Sequence, residues 1–305
     1  KTDGPIWSVS LSGALLGSPV LGDLDHDGRN EIVLGAAMDA RFSQGGVYVL
    51  NHRGEPWPNW PALGNESFAA APALADFDGD GNLEICIPSW KSQKLHLLHQ
   101  NGFEAVGWPI GPSSNFFIKS SPVIGDVDGD GQPDVVLPAP GYWFLALLYG
   151  DVANVGGVRA WNFHGQPINL NRTAANPALI MESSAGDAWL KGAPITLADI
   201  DHNGKLDVIA ASIQDRAFAP LGQPTARKNR SSLYVWELDV PFKAETLPWP
   251  QFQANVQHTG RYTPPTHSNQ PPVVLPIPDQ IARVGQGFYP LALDRYVEDL
   301  DNRPD

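Results

Sequence analysis

The sequence predicts an all-β chain assembled from one repeated unit of short strands. Three observations carry this. A nine-residue acidic pattern recurs four times along 305 residues. Each copy runs into a short β-branched stretch closed by a breaker, which marks a strand rather than a helix. Thirty glycines and 29 prolines punctuate the chain, and strand-like runs outnumber anything of helical period.

The four copies read Asp23-Leu-Asp25-His-Asp27-Gly28-Arg29-Asn-Glu31, Asp76-Phe-Asp78-Gly-Asp80-Gly81-Asn82-Leu-Glu84, Asp126-Val-Asp128-Gly-Asp130-Gly131-Gln132-Pro-Asp134 and Asp199-Ile-Asp201-His-Asn203-Gly204-Lys205-Leu-Asp207. Each places an oxygen-bearing side chain at positions 1, 3 and 5, glycine at 6 and an acid at 9. The glycine supplies the positive φ that such a turn needs. Asp and Asn also form polar turns unaided, because they cap their own backbone. Four copies in one register relative to a strand favour a cage for a hard cation.

Calcium takes about 6–8 oxygens at flexible geometry, whereas magnesium demands a stricter octahedron. The expected ligands are the side chains of Asp23, Asp25, Asp27 and Glu31, of Asp76, Asp78, Asp80 and Glu84, of Asp126, Asp128, Asp130 and Asp134, and of Asp199, Asp201, Asn203 and Asp207. The backbone carbonyls of Arg29, Asn82, Gln132 and Lys205 at position 7 add a fifth oxygen, with water completing the shell. The expectation is about four Ca2+ sites. Zinc is excluded, since no Cys/His set has ligand spacing. An EF-hand is excluded too. It needs Glu at position 12, where this chain has Leu34, Ile87, Leu137 and Ala210. His26 and His202, at position 4, are expected to point away from the ion.

The net charge is −13, yet the loops hold 15 of the 33 acidic residues. Acidity is therefore local to the cages. No basic stripe is present, which excludes a nucleic-acid partner. No apolar run is long enough to span a membrane as a helix. The lone Cys86 cannot form an internal disulfide and is expected to be a small buried hydrophobe. A calcium-rich chain without disulfides fits a bacterial protein at the cell surface or outside the cell. No signal peptide is visible. Lys1 begins in mid-repeat, so the chain reads as processed or as part of something longer.

More than the loop repeats. Loop starts fall at 23, 76, 126 and 199. A small-Pro-apolar lead precedes each, as in Ser18-Pro19-Val20 and Ser121-Pro122-Val123. A further strand follows: Gly46–Leu50, Lys94–Leu98, Gly157–Trp161 and Leu233–Trp236. Turns come next at Arg53-Gly54, Asn101-Gly102 and His164-Gly165, and two repeats continue into Trp60-Pro61 and Trp108-Pro109. Each unit thus holds about four short strands, and four-stranded units at this period predict the blades of a β-propeller.

The stretch Ser121-Pro-Val-Ile-Gly-Asp126-Val-Asp-Gly-Asp-Gly-Gln-Pro-Asp134-Val-Val resembles the FG-GAP repeat of integrin alpha-subunit propellers and their bacterial relatives. The resemblance covers roughly residues 1–262. It implies a propeller with a calcium loop in each of several blades, the ligands being the positions named above. The Phe-Gly and Gly-Ala-Pro elements that name the motif are poorly kept. Trp249–Tyr262 is similar to the closing stretch of many bacterial propellers of this type. Relatives often have seven blades; four are visible here.

Composition changes after Tyr262. Residues 263–272 read as a Pro-rich, semi-rigid linker. Residues 273–305 resemble the start of a cadherin-like or immunoglobulin-like module, carried by Asn269-Gln-Pro-Pro272, Ile277-Pro-Asp-Gln280 and Leu293–Asp301. A full sandwich takes about 100 residues, so this segment is expected to be a partial one whose strands pair elsewhere, with self-assembly through them as one outcome.

The loops are expected to stabilise rather than react. A ligand surface is expected on inter-strand loops. The aromatic insertion Tyr142–Phe144, residues 176–191 and the basic set Arg216, Arg227, Lys228 and Arg230 are the candidates. Trp57, Trp60, Trp108 and Trp249 are expected to pack between blades. No nucleophile elbow, phosphate loop or zinc-protease motif occurs. The expected function is therefore non-catalytic: a calcium-stabilised extracellular propeller for adhesion, ligand binding or assembly, with a protein or glycan partner. The alternatives are a polysaccharide-lyase-like propeller enzyme and an accessory domain of a larger secreted enzyme.

Overall fold

Each acidic loop joins a three-residue strand to a longer one, and a third strand folds back beside it. A computed structural model of the chain describes residues 4–38, 44–111, 120–139, 157–168, 181–182, 195–214, 230–255, 257–264, 273–274 and 297–298. The first sheet holds β1 (Val20–Gly22), β2 (Glu31–Ala36) and β3 (Gly46–Leu50). The second holds β4 (Ala73–Ala75), β5 (Glu84–Pro88) and β6 (Leu95–Leu98). The third holds β7 (Val123–Gly125), β8 (Asp134–Ala139), β9 (Gly157–Trp161) and β10 (Met181–Glu182). The fourth holds β11 (Thr196–Ala198), β12 (Lys205–Gln214) and β13 (Arg230–Pro241).

All pairings within these sheets are antiparallel. The register repeats. The ninth loop residue always faces the last residue of the first strand: Gly22 with Glu31, Ala75 with Glu84, Gly125 with Asp134, and Ala198 with Asp207. The described residues contain no α-helix, only one 3-10 turn at Ala244–Thr246. The chain divides at Pro264/Pro265. In the second part the described residues are β14 (Val273–Val274) paired with β15 (Val297–Glu298).

Among the described residues three sheets have three strands, and the third has a two-residue fourth. Isolated bridges lie beside the third strands: Leu50 with Pro56 and Val47 with Ala62, Leu98 with Glu104 and Leu95 with Ile110, Trp161 with Pro167. In the first repeat Pro56, Pro58 and Pro61 have no N–H to give a ladder; the second repeat makes the same separate contacts at Glu104 and Ile110 with Pro109 alone. The turn before each such segment is one motif. The N–H of Gly54, Gly102 and Gly165 donates to the carbonyl three residues back, at 2.9 Å each time.

The core runs across sheets. Val20, Leu24, Leu74, Phe77, Ile85, Ile124 and Trp249 share one buried cluster, and Val123, Val136, Leu197 and Val208 belong to a second. Cys86 lies fully buried in the first, and burial pushes its thiol up, so it behaves as a small hydrophobe. The ends of the first strands need glycine for close approach. A Cβ on Gly125 would stand 2.5 Å from Leu247 Cδ2 and 2.8 Å from Leu197 Cδ1.

Tryptophans stitch each repeat to the next. Trp7 Nε1–H donates to His52 O at 3.2 Å, Trp60 to Gln100 O at 3.2 Å and Trp108 to Phe163 O at 2.5 Å. The three acceptors occupy the same place, the second residue of the glycine turn. Trp60 and Trp108 are buried and Trp249 is wholly so, while Trp57 packs partly buried beside them.

The tail's cadherin-like or sandwich character finds no further description here. Tyr142–Phe144, most of 176–191, Arg216, Arg227, Lys228 and residues 265–272 lie outside the described residues. Arg230 opens β13.

Trp108→Phe is expected to cost about 1 kcal/mol, the worth of one hydrogen bond. Trp108→Ala should cost about 3–5 kcal/mol through the cavity it leaves. Urea unfolding measures both, and an unshifted Trp108→Phe midpoint would show that the indole N–H contributes nothing.

Candidate metal centres

The four loops share one hydrogen-bond network. The first Asp accepts from the glycine N–H at position 6: 2.9 Å for Asp23, 3.0 Å for Asp76 and Asp126, 2.9 Å for Asp199. The third residue accepts from the N–H of the fifth, at 3.1 Å in Asp25 and 3.2 Å in Asp78, Asp128 and Asp201. The fifth accepts from the seventh, at 2.7 Å in Asp27 and Asp80 and 2.8 Å in Asp130 and Asn203. The ninth accepts from the second, closing the loop at 2.9 Å in Glu31, Glu84 and Asp207 and 3.0 Å in Asp134. Glycine at position 6 sits at φ between 83° and 89° in all four. That left-handed backbone is glycine's ordinary territory.

Carboxylate oxygens within each loop also lie close to one another. Asp23, Asp25 and Asp27 each bring an oxygen within 4.8 Å of one another. So do Asp76, Asp78 and Asp80, then Asp126, Asp128 and Asp134, then Asp199, Asp201 and Asp207. These clusters could hold metal ions, and all-oxygen donors suit a hard cation. Glu31, Glu84 and Asp130 belong to the hydrogen-bond network but not to these four sets. At position 7 the side chains of Arg29 and Lys205 face elsewhere, while that of Asn82 stays on its loop. Lys205 Nζ meets Glu237 at 3.1 Å and Asp239 at 3.4 Å, and Arg29 meets His52 Nε2 at 3.2 Å. Asn82 Nδ2 donates to Asp80 at 2.9 Å. For Arg29, Asn82, Gln132 and Lys205 the backbone carbonyl is what a cation would use.

In the first three loops the ninth residue is held well above the ordinary carboxylate range. Burial pushes Asp134 up to about 8, against the Val127 N–H that lowers it and the neighbouring Asp charges that raise it further. Burial likewise raises Glu84 to about 7 and Glu31 to about 6. Asp134 is fully buried, and its Oδ1 has no hydrogen-bond donor. Asp23 Oδ1 is also buried without one. A buried carboxylate oxygen without a donor is costly unless a cation meets it.

Sequence reasoning missed the groups that flank each loop. His99 Nδ1 lies 3.1 Å from Glu84 Oε1 and forms a second cluster with Asp78. Glu237 accepts from Asn203 Nδ2 at 2.6 Å. His26 is exposed as expected, yet its Nε2 is 3.1 Å from Asn82 Oδ1 on the next loop. Strand pairing offered the signal for Glu237, which stands opposite Asp207.

Because the native state keeps protons on these buried acids that the unfolded chain releases, metal-free stability is expected to fall as pH rises. The window runs from the ordinary carboxylate values of 3.8 and 4.5 to about 8. Saturating calcium should abolish that trend. Above about pH 8 Asp134→Asn should raise the melting midpoint in chelator, by removing a buried charge, and in calcium it should lower the midpoint. Melting curves across pH, with and without calcium, report both effects.

Comparison with known proteins places the loops. The FG-GAP-like repeat matches residues 23–87, which span the first two loops, and the FG-GAP repeat matches residues 120–143, which span the third. No curated protein matches the chain by sequence. Among solved structures it is similar to the V. cholerae biofilm matrix protein Bap1, with 16% identity and TM-score 0.40, covering 68% of this chain and 39% of that one. It is also similar to the Pseudomonas aeruginosa PilY1 C-terminal domain, with 12% identity and TM-score 0.41, covering 65% of this chain and 56% of that one. The chain thus spans less than two thirds of either. What the matches establish is that this all-β chain carries FG-GAP-type repeats in the region of its first three acidic loops.

Proposed function

We propose that this chain is a calcium-stabilised β-propeller segment of a bacterial protein that works at the cell surface or outside the cell. One Ca2+ sits in each of the four loops. Its role is non-catalytic: the sheets form a rigid frame from which loops bind a protein or glycan partner. The observation that carries this is the fourfold loop network, with carboxylate oxygens converging and Asp134 Oδ1 buried without a donor. Calcium supplies the charge that lets these acids stay ionised together. The FG-GAP repeats support the propeller assignment. The short β14–β15 pair at the end of the chain is proposed as a self-assembly element.

Calcium titration followed by calorimetry is expected to give about four sites. Each site should add about 2.7 kcal/mol at a hundredfold excess over Kd. Chelation should therefore lower the melting midpoint by more than about 10 °C. An unchanged melt would make the loops simple polar turns and sink the metal reading. Polysaccharide turnover by the purified chain would overturn the non-catalytic role in favour of a lyase-like enzyme. Deleting residues 265–305 should lower the oligomeric state in light scattering. An unchanged state removes assembly from the proposal.

A further inference from the structure

A cavity of about 310 Å³ opens on the segment that follows the fourth sheet. Leu247, Pro248 and Pro250 give it an apolar wall, and Gln251, Arg261 and Thr263 bring polar groups to it. This volume lies at the small end of ordinary ligand sites.

The frame around it is fixed. Leu21 N–H donates to Gly260 O at 2.6 Å and Tyr262 N–H donates to Leu21 O at 2.8 Å, which clamps Arg261 to β1 from both sides. Ile124 of β7 exchanges two hydrogen bonds with Trp249, and Leu197 of β11 donates to Pro250 O at 2.8 Å. The cavity wall is therefore mounted on the first strands of three sheets. Asn255, also on the wall, uses its amide internally: Nδ2 donates to Thr259 Oγ1 at 2.7 Å, and Oδ1 accepts from Gln257 and Thr259 N–H at 3.2 Å. The side chains of Gln251, Arg261 and Thr263 have no such partner among the described residues. Arg261 is the only charged residue among the described residues of the wall.

We propose that this cavity binds a uronic-acid residue of an acidic polysaccharide, with its carboxylate on Arg261. The proposal specifies the ligand-binding role given above and rests on it. A planar guanidinium takes a carboxylate through two parallel hydrogen bonds. A pyranose ring offers hydroxyls to Gln251 and Thr263, and its C–H face lies on Leu247 and the two prolines. An aliphatic acid would cover the apolar wall but make no use of Gln251 and Thr263, and a neutral sugar would make no use of the guanidinium.

The test is an NMR titration of the full chain, held in saturating calcium, with the methyl glycosides of galacturonate and glucuronate and with their neutral counterparts. At least one uronoside is expected to bind about tenfold or more tightly than its neutral counterpart, and Arg261→Gln should weaken it by the same factor. Gln251→Ala should weaken it several-fold. Melting curves check that each variant folds; should Arg261→Gln unfold, Arg261→Lys, which keeps the charge but not the fork, and Gln251→Ala decide. Failure of both uronosides to bind, equal binding of charged and neutral sugars, or full binding by the folded Arg261 variant overturns the proposal. The metal reading is judged separately, by the melt in chelator.

Discussion

A buried carboxylate at the ninth loop position is the constraint on which every repeat depends. It caps the N–H of the loop's second residue, and its own backbone pairs with the end of the first strand. One side chain thus fixes the loop, the hairpin register and the entry to the second strand. The position must be both acidic and buried, and those demands conflict. Burial raises Glu31, Glu84 and Asp134 well above ordinary carboxylate behaviour. A divalent cation would resolve the conflict, because its charge favours the ionised form that burial opposes.

The repeats are alike in their loops and different beside them. The residue after the third strand is Asn51, His99 and Asn162 in the first three repeats, and Glu237 stands opposite the ninth position in the fourth. Asn51 and Asn162 use their side-chain oxygen to hold their own glycine turn, accepting from Glu55 and Gln166 at 3.0 Å. His99 and Glu237 instead reach the loop, one at Glu84 and the other at Asn203 and Lys205. Outer groups of this kind tune a cation site through charge and orientation. Four loops of one sequence pattern therefore need not share one affinity. The tryptophan stitches act at the same level, coupling the loop of one repeat to the turn of the next.

Local features of this chain were legible in its sequence. The strands expected to start at Glu31, Glu84 and Asp134 do so, and the third strands at 46–50 and 157–161 have those bounds. The loop motif carried its own geometry, since each of its bonds spans seven residues or fewer. The fourth position of each repeat was less legible: among the described residues it shows as isolated bridges in the first two repeats, and repeat length alone does not separate a bridge from a strand. Contacts between repeats were hidden for a different reason. His26 and Asn82 are 56 residues apart and Trp108 and Phe163 are 55 apart, and no periodic signal joins such pairs. The strap from Leu247 to Tyr262 was legible only as a closing stretch. Its pairing with β1, β7 and β11, and hence the cavity it walls, is a product of tertiary structure.

The separation of loops from cavity has a physical logic. In the loops the side chains at positions 1, 3, 5 and 9 all accept from backbone donors, and Asp76, Asp126 and Asp199 do so through both oxygens. A cation among them would be held by groups that cannot move without opening the turn. Such a site suits rigidity and leaves the protein little freedom to rearrange around a substrate. Recognition then falls to groups that the fold positions but does not satisfy. Arg261, clamped through its backbone and unpaired at its side chain, is such a group. Arg261 has no other charged side chain beside it among the described residues of the wall, so nothing there competes for its guanidinium.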